Sequence, residues 1–476
     1  MRGRGERGSG ARGSATALAI AMALSACRKT PDPSTIDAAP APSVSASSAS
    51  VFGDRCQILG APVLLGATAP ATATGEDAPV PFGAEIGGAI TDARGFVFGL
   101  HAQGVAGEIT LRSVPFDGVR AAADVRLVAT LPRSPNASLV RAPILSAATK
   151  RGADAPIAAA VLELVEGVRH LRAFRIEATG PRSIGDLRED DDESEVSAIV
   201  EAPAGLVGAV WDEGDATHRR GEIHFRASFT AGSAAPAPSM SAHAAPVAST
   251  KAIAASPEIV SPLESDAAAP TIVPFGDGTR AIVFWLAERP DVAGDEERAV
   301  DGGAGEPSQE EATRWLEARA IDLRTGATLG ATRALTSDKG HVQTFSAALS
   351  IAGDLIFVAL RDDARPSDGD GGSIHALAIP LTADGTLGEP ARTGVAADDV
   401  APGMPRLILR TTGAFVSYLD AQDRGWLAPV FGGGSSKAAP ELALARRSVI
   451  ASAGDRVLVA RVAGAAVEIA LVKCRE

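Results

Sequence analysis

The chain has 476 residues, 46% of them hydrophobic but only 4% aromatic, which is enough for two or three average domains or one large all-β ring with a core rich in Ala and Val. Its formal charge is −13; residues 1–26 carry four arginines against one glutamate, so the remainder stands at about −16. That balance argues against nucleic acid as a partner and against a peripheral grip on anionic lipid, because both need clustered Lys and Arg.

The N-terminus reads as a targeting segment rather than fold. Arg2, Arg4, Arg7 and Arg12 form a basic stretch, and Ala15 to Ala23 is an apolar stretch far below the ~20 residues of a membrane-spanning helix. Leu24-Ser25-Ala26-Cys27 follows. This tetrapeptide resembles the lipobox of bacterial lipoproteins: an aliphatic residue, two small residues that let a peptidase close on the backbone, and a cysteine whose thiol carries the lipid. The resemblance implies that residues 1–26 are a lipoprotein signal peptide and that Cys27 is the lipid-attachment residue and mature N-terminus. It further implies anchoring to the cell envelope through that lipid. Arg rather than Asp at position 28 favours the outer membrane over the inner. The alternative is an ordinary secretory signal with a coincidental cysteine.

Residues 27–55 read as a tether. From Arg28 to Ser50 the composition is Pro, Ala and Ser with almost no bulky apolar residue, too little to offset the entropy of ordering. The chain has three cysteines. With Cys27 lipidated, Cys56 and Cys474 remain as an even pair in an oxidising, exported setting, and a disulfide between them would join the two ends of the folded domain.

Residues 56–476 read as one repeat domain. Gln57 to Leu65 is an isolated strand. A turn followed by a short apolar run then recurs about seven times: Gly95 to Leu100, Pro156 to Leu162, Gly205 to Trp211, Gly278 to Leu286, Gly353 to Leu360, Gly413 to Leu419 and Gly454 to Arg461. A strand precedes each run and another follows, many alternating apolar with polar residues as a strand buried on one face does; Ile223, Phe225 and Ala227 show this cleanly. A weaker fourth strand is expected in places, as at Val125 to Thr130 and Ala331 to Leu335. Three biased insertions, Ala231 to Ser256, Asp291 to Glu311 and Arg361 to Gly372, read as solvated loops. Gln309 to Arg319 has helix-like surface residues, but the repeat asks for strand in its second half.

This pattern resembles the β-propeller superfamily as an architecture, most simply with seven blades. It carries neither the Gly-His and Trp-Asp pairs of WD40 repeats, nor the double glycine of kelch, nor the Asp boxes of sialidases, so it implies a fold and no activity. The last unit supplies three strands and stops. The resemblance implies that Gln57 to Leu65 completes it, closing the ring with an N-terminal strand and bringing Cys56 near Cys474. Two unrelated free thiols are the alternative.

The stretches after the second strands are acidic: Asp212, Glu213 and Asp215; Glu288 and Asp291; Asp362, Asp363, Asp368 and Asp370; Asp420 and Asp423. In propellers such loops share one face, where convergent carboxylates suit Ca²⁺ or a cationic partner. Solubility in an acidic protein accounts for them equally well. The histidines are scattered, with His101, His218 and His341 expected on loops and His170, His224 and His375 on strands. No HxH, HExxH or His/Cys spacing marks a metal centre, and no GxSxG marks a nucleophile. No cofactor is expected. These observations favour a monomeric, non-catalytic propeller that binds a protein or glycan at the envelope. An exported glycoside hydrolase or lyase using loop carboxylates, and a structural envelope lipoprotein, are the competing readings.

Overall fold

The computed structural model describes residues 51–52, 56–66, 84–92, 95–102, 109–115, 125–141, 143–147, 157–190, 197–202, 206–215, 220–229, 257–263, 266–288, 313–363, 372–401, 403–422, 424–430, 436–437, 448–453, 455–463 and 466–474. Every regular element among them is a strand. The strands form seven antiparallel sheets that follow one another along the chain, which we number as blades 1 to 7.

Blade 4 shows the plan. Asp266–Phe275 pairs with Arg280–Glu288, which pairs with Arg314–Asp322, which pairs with the short Arg333–Ala334. The second strand is buried at every position except its two ends, because neighbouring blades cover both of its faces. Such a strand reads as a continuous apolar run rather than an alternation, which is why these strands carry the repeat in the sequence. The third strand alternates over much of its length, and the fourth is reduced to two residues. Strand Arg314–Asp322 settles the ambiguity at Gln309 to Arg319 in favour of strand for its second half.

The hydrophobic core is seven separate clusters, each lying between two adjacent blades. Val97, Ile109 and Leu111 of blade 1 meet Ile157, Val161 and Phe174 of blade 2. The series continues around the molecule until Val449, Leu458 and Ile469 of blade 7 meet Phe96, Phe98 and Val114 of blade 1. Seven blades with seven seams make a closed ring; an open stack would have six. The first strands also touch in sequence around the ring, with Ser448–Ala453 against Ala84–Asp92 completing the circuit.

The ring closes as the repeat implied, with a refinement. The expected strand Gln57 to Leu65 is two strands, Cys56–Ile58 and Val63–Gly66, and both pair with the final strand Ala466–Cys474. Blade 7 therefore runs outward from Ser448–Ala453 through Arg456–Ala463 and Ala466–Cys474 to the N-terminal strands, with Val51–Phe52 outermost. The register sets Cys56 opposite Cys474. The side chains of both cysteines lie outside the described residues.

Blade 2 departs most from the expected pattern. Its first strand is not continuous but comes in two pieces, Ser138–Leu139 and Ile144–Ala147, with Pro143 just before the second. The proline is accommodated by blade 1. Its carbonyl accepts from Gly88 N at 3.0 Å, and a Cβ built on Gly87 would lie 1.8 Å from the same oxygen. Glu166 and Gly167, both with positive φ (52° and 88°), make the two-residue turn between Ile157–Val165 and Val168–Glu177. The outer strand Gly180–Asp190 has eleven residues and was not foreseen; nor was the ten-residue Ala391–Val400 in blade 5.

Candidate ligand-binding face

The end of the ring where second strands turn into third strands carries the acidic residues singled out above. Some of them lie in strands rather than in the loops expected. Asp212 and Asp215 lie within strand Leu206–Asp215, and Asp362 closes strand Leu355–Asp362. Asp363 follows that strand, and Asp420 sits in an isolated bridge to Val400. Asp291, Asp368, Asp370, Asp423 and His218 lie outside the described residues, as does the side chain of Asp215. His101, expected on a loop, is a buried residue of strand Gly95–Ala102.

The described carboxylates at this rim are engaged by the fold itself. Asp212 Oδ2 accepts from Ala269 N of blade 4 at 2.9 Å, and Asp266 Oδ1 of blade 4 accepts from Gly221 N of blade 3 at 2.7 Å. The two contacts run in opposite directions across one seam. Ala269 has φ 53°, the left-handed region that costs a residue with a Cβ roughly 1–2 kcal/mol, and a charge-assisted bond to its N–H offsets that cost. Asp362 Oδ1 accepts from His341 N at 3.0 Å, and Asp363 pairs with the buried Arg361 at 2.7 Å. Glu288 pairs with Arg314 across its own hairpin at 2.8 Å.

A second reason for the acidity comes from the tryptophans, of which the chain has four. A buried indole needs an acceptor for its N–H. Trp211 donates to Glu213 at 3.2 Å, Trp285 to Glu317 at 3.1 Å, Trp315 to Glu317 at 2.9 Å and Trp426 to Asp420 at 2.8 Å. Asp420 is the most heavily used. Its Oδ1 takes the backbone N–H groups of Gln422 and Arg424, and its Oδ2 takes Arg424 Nε and the Trp426 indole. Burial pushes its carboxyl upward, but these donors together outweigh burial and hold it down at about 2. The coordination expected of a Ca²⁺ site needs oxygens facing a common point; these face backbone and side-chain donors.

A cleft opens on the seam between blades 4 and 5. It has a volume of about 320 Å³, and its polar lining includes Ser337, Asp362, His375, Glu389 and Arg392, with Leu335, Leu360 and Leu377 beneath. A second cavity of about 350 Å³ lies on the same seam, lined by Arg319, Leu329, Arg333 and Thr386 among others. Arg333 of the second cavity reaches Glu389 of the first. His375 Nε2 lies 2.9 Å from Ser373 Oγ, a spacing that invites comparison with an activated serine. The serine hydroxyl donates to the Asp362 carbonyl at 3.1 Å, however, so its proton is directed away from the imidazole. Ser373 is held as a structural hydroxyl rather than poised as a nucleophile.

No known family and no curated protein matches this sequence. Solved structures with similar chain traces include the β-propeller domain of Cps50 (Swd1) from Myceliophteria thermophila, at 10% identity over 81% of this chain and 99% of that one, with a TM-score of 0.41. The WD40 domain of SCAP from fission yeast is 12% identical over 89% and 98%, with a TM-score of 0.38. The β-propeller domain of the Trilobed protease from Pyrococcus furiosus is 9% identical over 82% and 93%, also at 0.38. The seven-bladed ring itself rests on the strand pairing and the seven seams described above.

Proposed function

We propose that this protein is a lipid-anchored cell-envelope protein whose propeller binds a polypeptide partner in the cleft between blades 4 and 5. The observation that carries the binding reading is the cleft's chemistry. Its volume falls at the lower end of the 300–1,000 Å³ typical of ligand sites. Its lining combines Arg392 and His375 with Asp362, Glu389 and three leucines, a set suited to a peptide's amides, carboxylates and short apolar side chains. Among the described residues the lining carries no Phe, Tyr or Trp, the usual stacking surface for a sugar, which supports a polypeptide over a glycan in this reading.

The anchor reading rests on Leu24-Ser25-Ala26-Cys27 and on where the chain joins the ring. The N-terminal strands form the outer edge of blade 7. The outer membrane is the expected destination.

Two experiments test these readings. Chemical cross-linking of the native envelope, followed by recovery of wild type and of a His375→Ala/Arg392→Ala double variant, is expected to yield a partner with wild type alone. Equal recovery with both, or turnover of envelope polysaccharide by the purified domain, overturns the binding reading. Separately, Cys27→Ser is expected to move the protein from the membrane fraction to the soluble fraction; unchanged fractionation defeats the anchor.

A further inference from the structure

We propose that His170, Asp186 and Glu189 of blade 2 form a binding site for a divalent transition-metal ion of the Zn²⁺ class. Each offers one ligand atom, and these atoms all lie within 4.8 Å of one another. His170 Nδ1 and Asp186 Oδ2 are 3.5 Å apart. That is longer than a good N–H···O hydrogen bond, at about 2.7–3.2 Å. It matches the edge of a tetrahedron around a metal with bonds of about 2.0–2.2 Å, which is roughly 3.4 Å.

The backbone explains how the three converge. Val168–Glu177 and Gly180–Asp190 pair with His170 opposite Glu189. Asp186 is three residues before Glu189, and on a regular strand it would point to the other face. A β-bulge intervenes: Leu171 pairs with Arg188 and Arg172 with Asp186, leaving Leu187 as the extra residue. Leu187 and Arg188 are consequently both fully buried, Leu187 in the cluster shared with blade 3. Asp186 and Glu189 then share the side that carries His170. Bulges commonly re-aim side chains in this way.

Two arginines on the strands around the cluster are committed to other carboxylates. Arg188 is spent on Asp190, through Nε at 2.6 Å and Nη2 at 2.7 Å. Arg172 is spent on Glu163, at 3.0 Å. Glu163, the cross-strand partner of His170 on its other side, is fully buried and also takes Ser134 N and Oγ. Both of these arginines are thus paired with other carboxylates, and the two carboxylates of the cluster match the charge of a divalent cation bound by the imidazole in its neutral form. The imidazole nitrogen selects a transition metal over Ca²⁺ or Mg²⁺, which prefer oxygen alone. Three protein ligands on an outer seam leave coordination positions open to water or to a partner's side chain.

The test uses the untagged mature protein and Zn²⁺ alone, titrated in competition with a chromophoric chelator. Wild type is expected to bind one equivalent. His170→Gln and Glu189→Gln should each weaken binding by at least about tenfold. Glu189 is exposed, so its substitution does not threaten the fold. Zn²⁺ is also expected to raise the thermal midpoint of wild type and not that of Glu189→Gln. Absence of stoichiometric binding, or binding unchanged in His170→Gln, overturns the site. Ca²⁺ binding that survives His170→Gln overturns the transition-metal assignment.

Discussion

The indole of Trp426 donates to Asp420 across 2.8 Å, joining the third strand of blade 6 to the end of its second. The same carboxylate holds the intervening turn, while the backbone of Asp420 bridges to Val400 of blade 5. One ionised side chain thus ties a turn to a half-buried aromatic at the point where the backbone meets the neighbouring blade. Its folded pKa, at about 2, lies below the ordinary 3.8. For a depressed carboxyl, the stabilisation is present above the unfolded pKa and is lost as pH falls through the folded one. The contribution of Asp420 is therefore full at neutral pH and fades between about pH 4 and 2, by at most about 2 kcal/mol. Wild type should lose stability over that window in acid-unfolding measurements. Asp420→Asn should be less stable at pH 7 and should lack this part of the acid dependence. An identical pH profile in the variant would remove Asp420 from the account.

Glu163 and Arg172 predict a larger effect. A fully buried carboxylate bonded to one arginine and one serine leaves both partners stranded when it is removed. Glu163→Ala should cost about 3–5 kcal/mol in denaturant unfolding. Glu163→Gln keeps one acceptor for Ser134 and should cost less. The order of the two variants is the discriminating result, since a simple loss of volume would not rank them this way.

Gly87 has a steric role that any side chain would violate. A Cβ there would meet the Pro143 carbonyl oxygen at 1.8 Å, and both are backbone-borne, so no rotamer change relieves it. Gly87→Ala should separate blades 1 and 2 locally and lower the thermal midpoint. Gly330→Ala, with nothing near its Cβ, is the matched control and should leave the midpoint almost unmoved. Equal effects at the two positions would contradict the close approach.

The cysteine pair makes a further prediction. Directly opposed residues in an antiparallel pair have Cα atoms about 4.5–5.5 Å apart, inside the range that disulfides span. Mass spectrometry of the non-reduced protein isolated from its native host should find a peptide linking Cys56 to Cys474. Cys56→Ser/Cys474→Ser should unfold more readily, by up to about 4–5 kcal/mol for so long a loop. Quantitative alkylation of both thiols without reduction would sink the bond.

The fold was legible because seven second strands are buried on both faces, and each announces itself as an apolar run between turns, as in Arg280–Glu288. The terminal strand was legible because the last unit lacked a partner. The outer strands were not, because Gly180–Asp190 carries two bulges that break its alternation and leave no period to read. Blade 2's first strand was hidden by Pro143, whose fit depends on glycines about fifty residues earlier. The acidic rim was visible as composition, but its purpose was not: nothing local says that Glu317 serves both Trp285 and Trp315. His170, Asp186 and Glu189 escaped for the same reason. Their convergence depends on a single extra residue, Leu187, which no ligand-spacing pattern encodes.

Blade 7 draws its strands from both ends of the domain, with roughly 400 residues between Ile58 and the strand it joins. The seam that completes the circle is thus the longest-range contact in the molecule and depends on the last nine-residue strand to be made, Ala466–Cys474. A chain released from synthesis a few residues early would hold six finished blades and an open edge on each side of the gap. Completion of the ring therefore depends on both residues 56–66 and Ala466–Cys474: loss of either would leave a sheet edge unpaired.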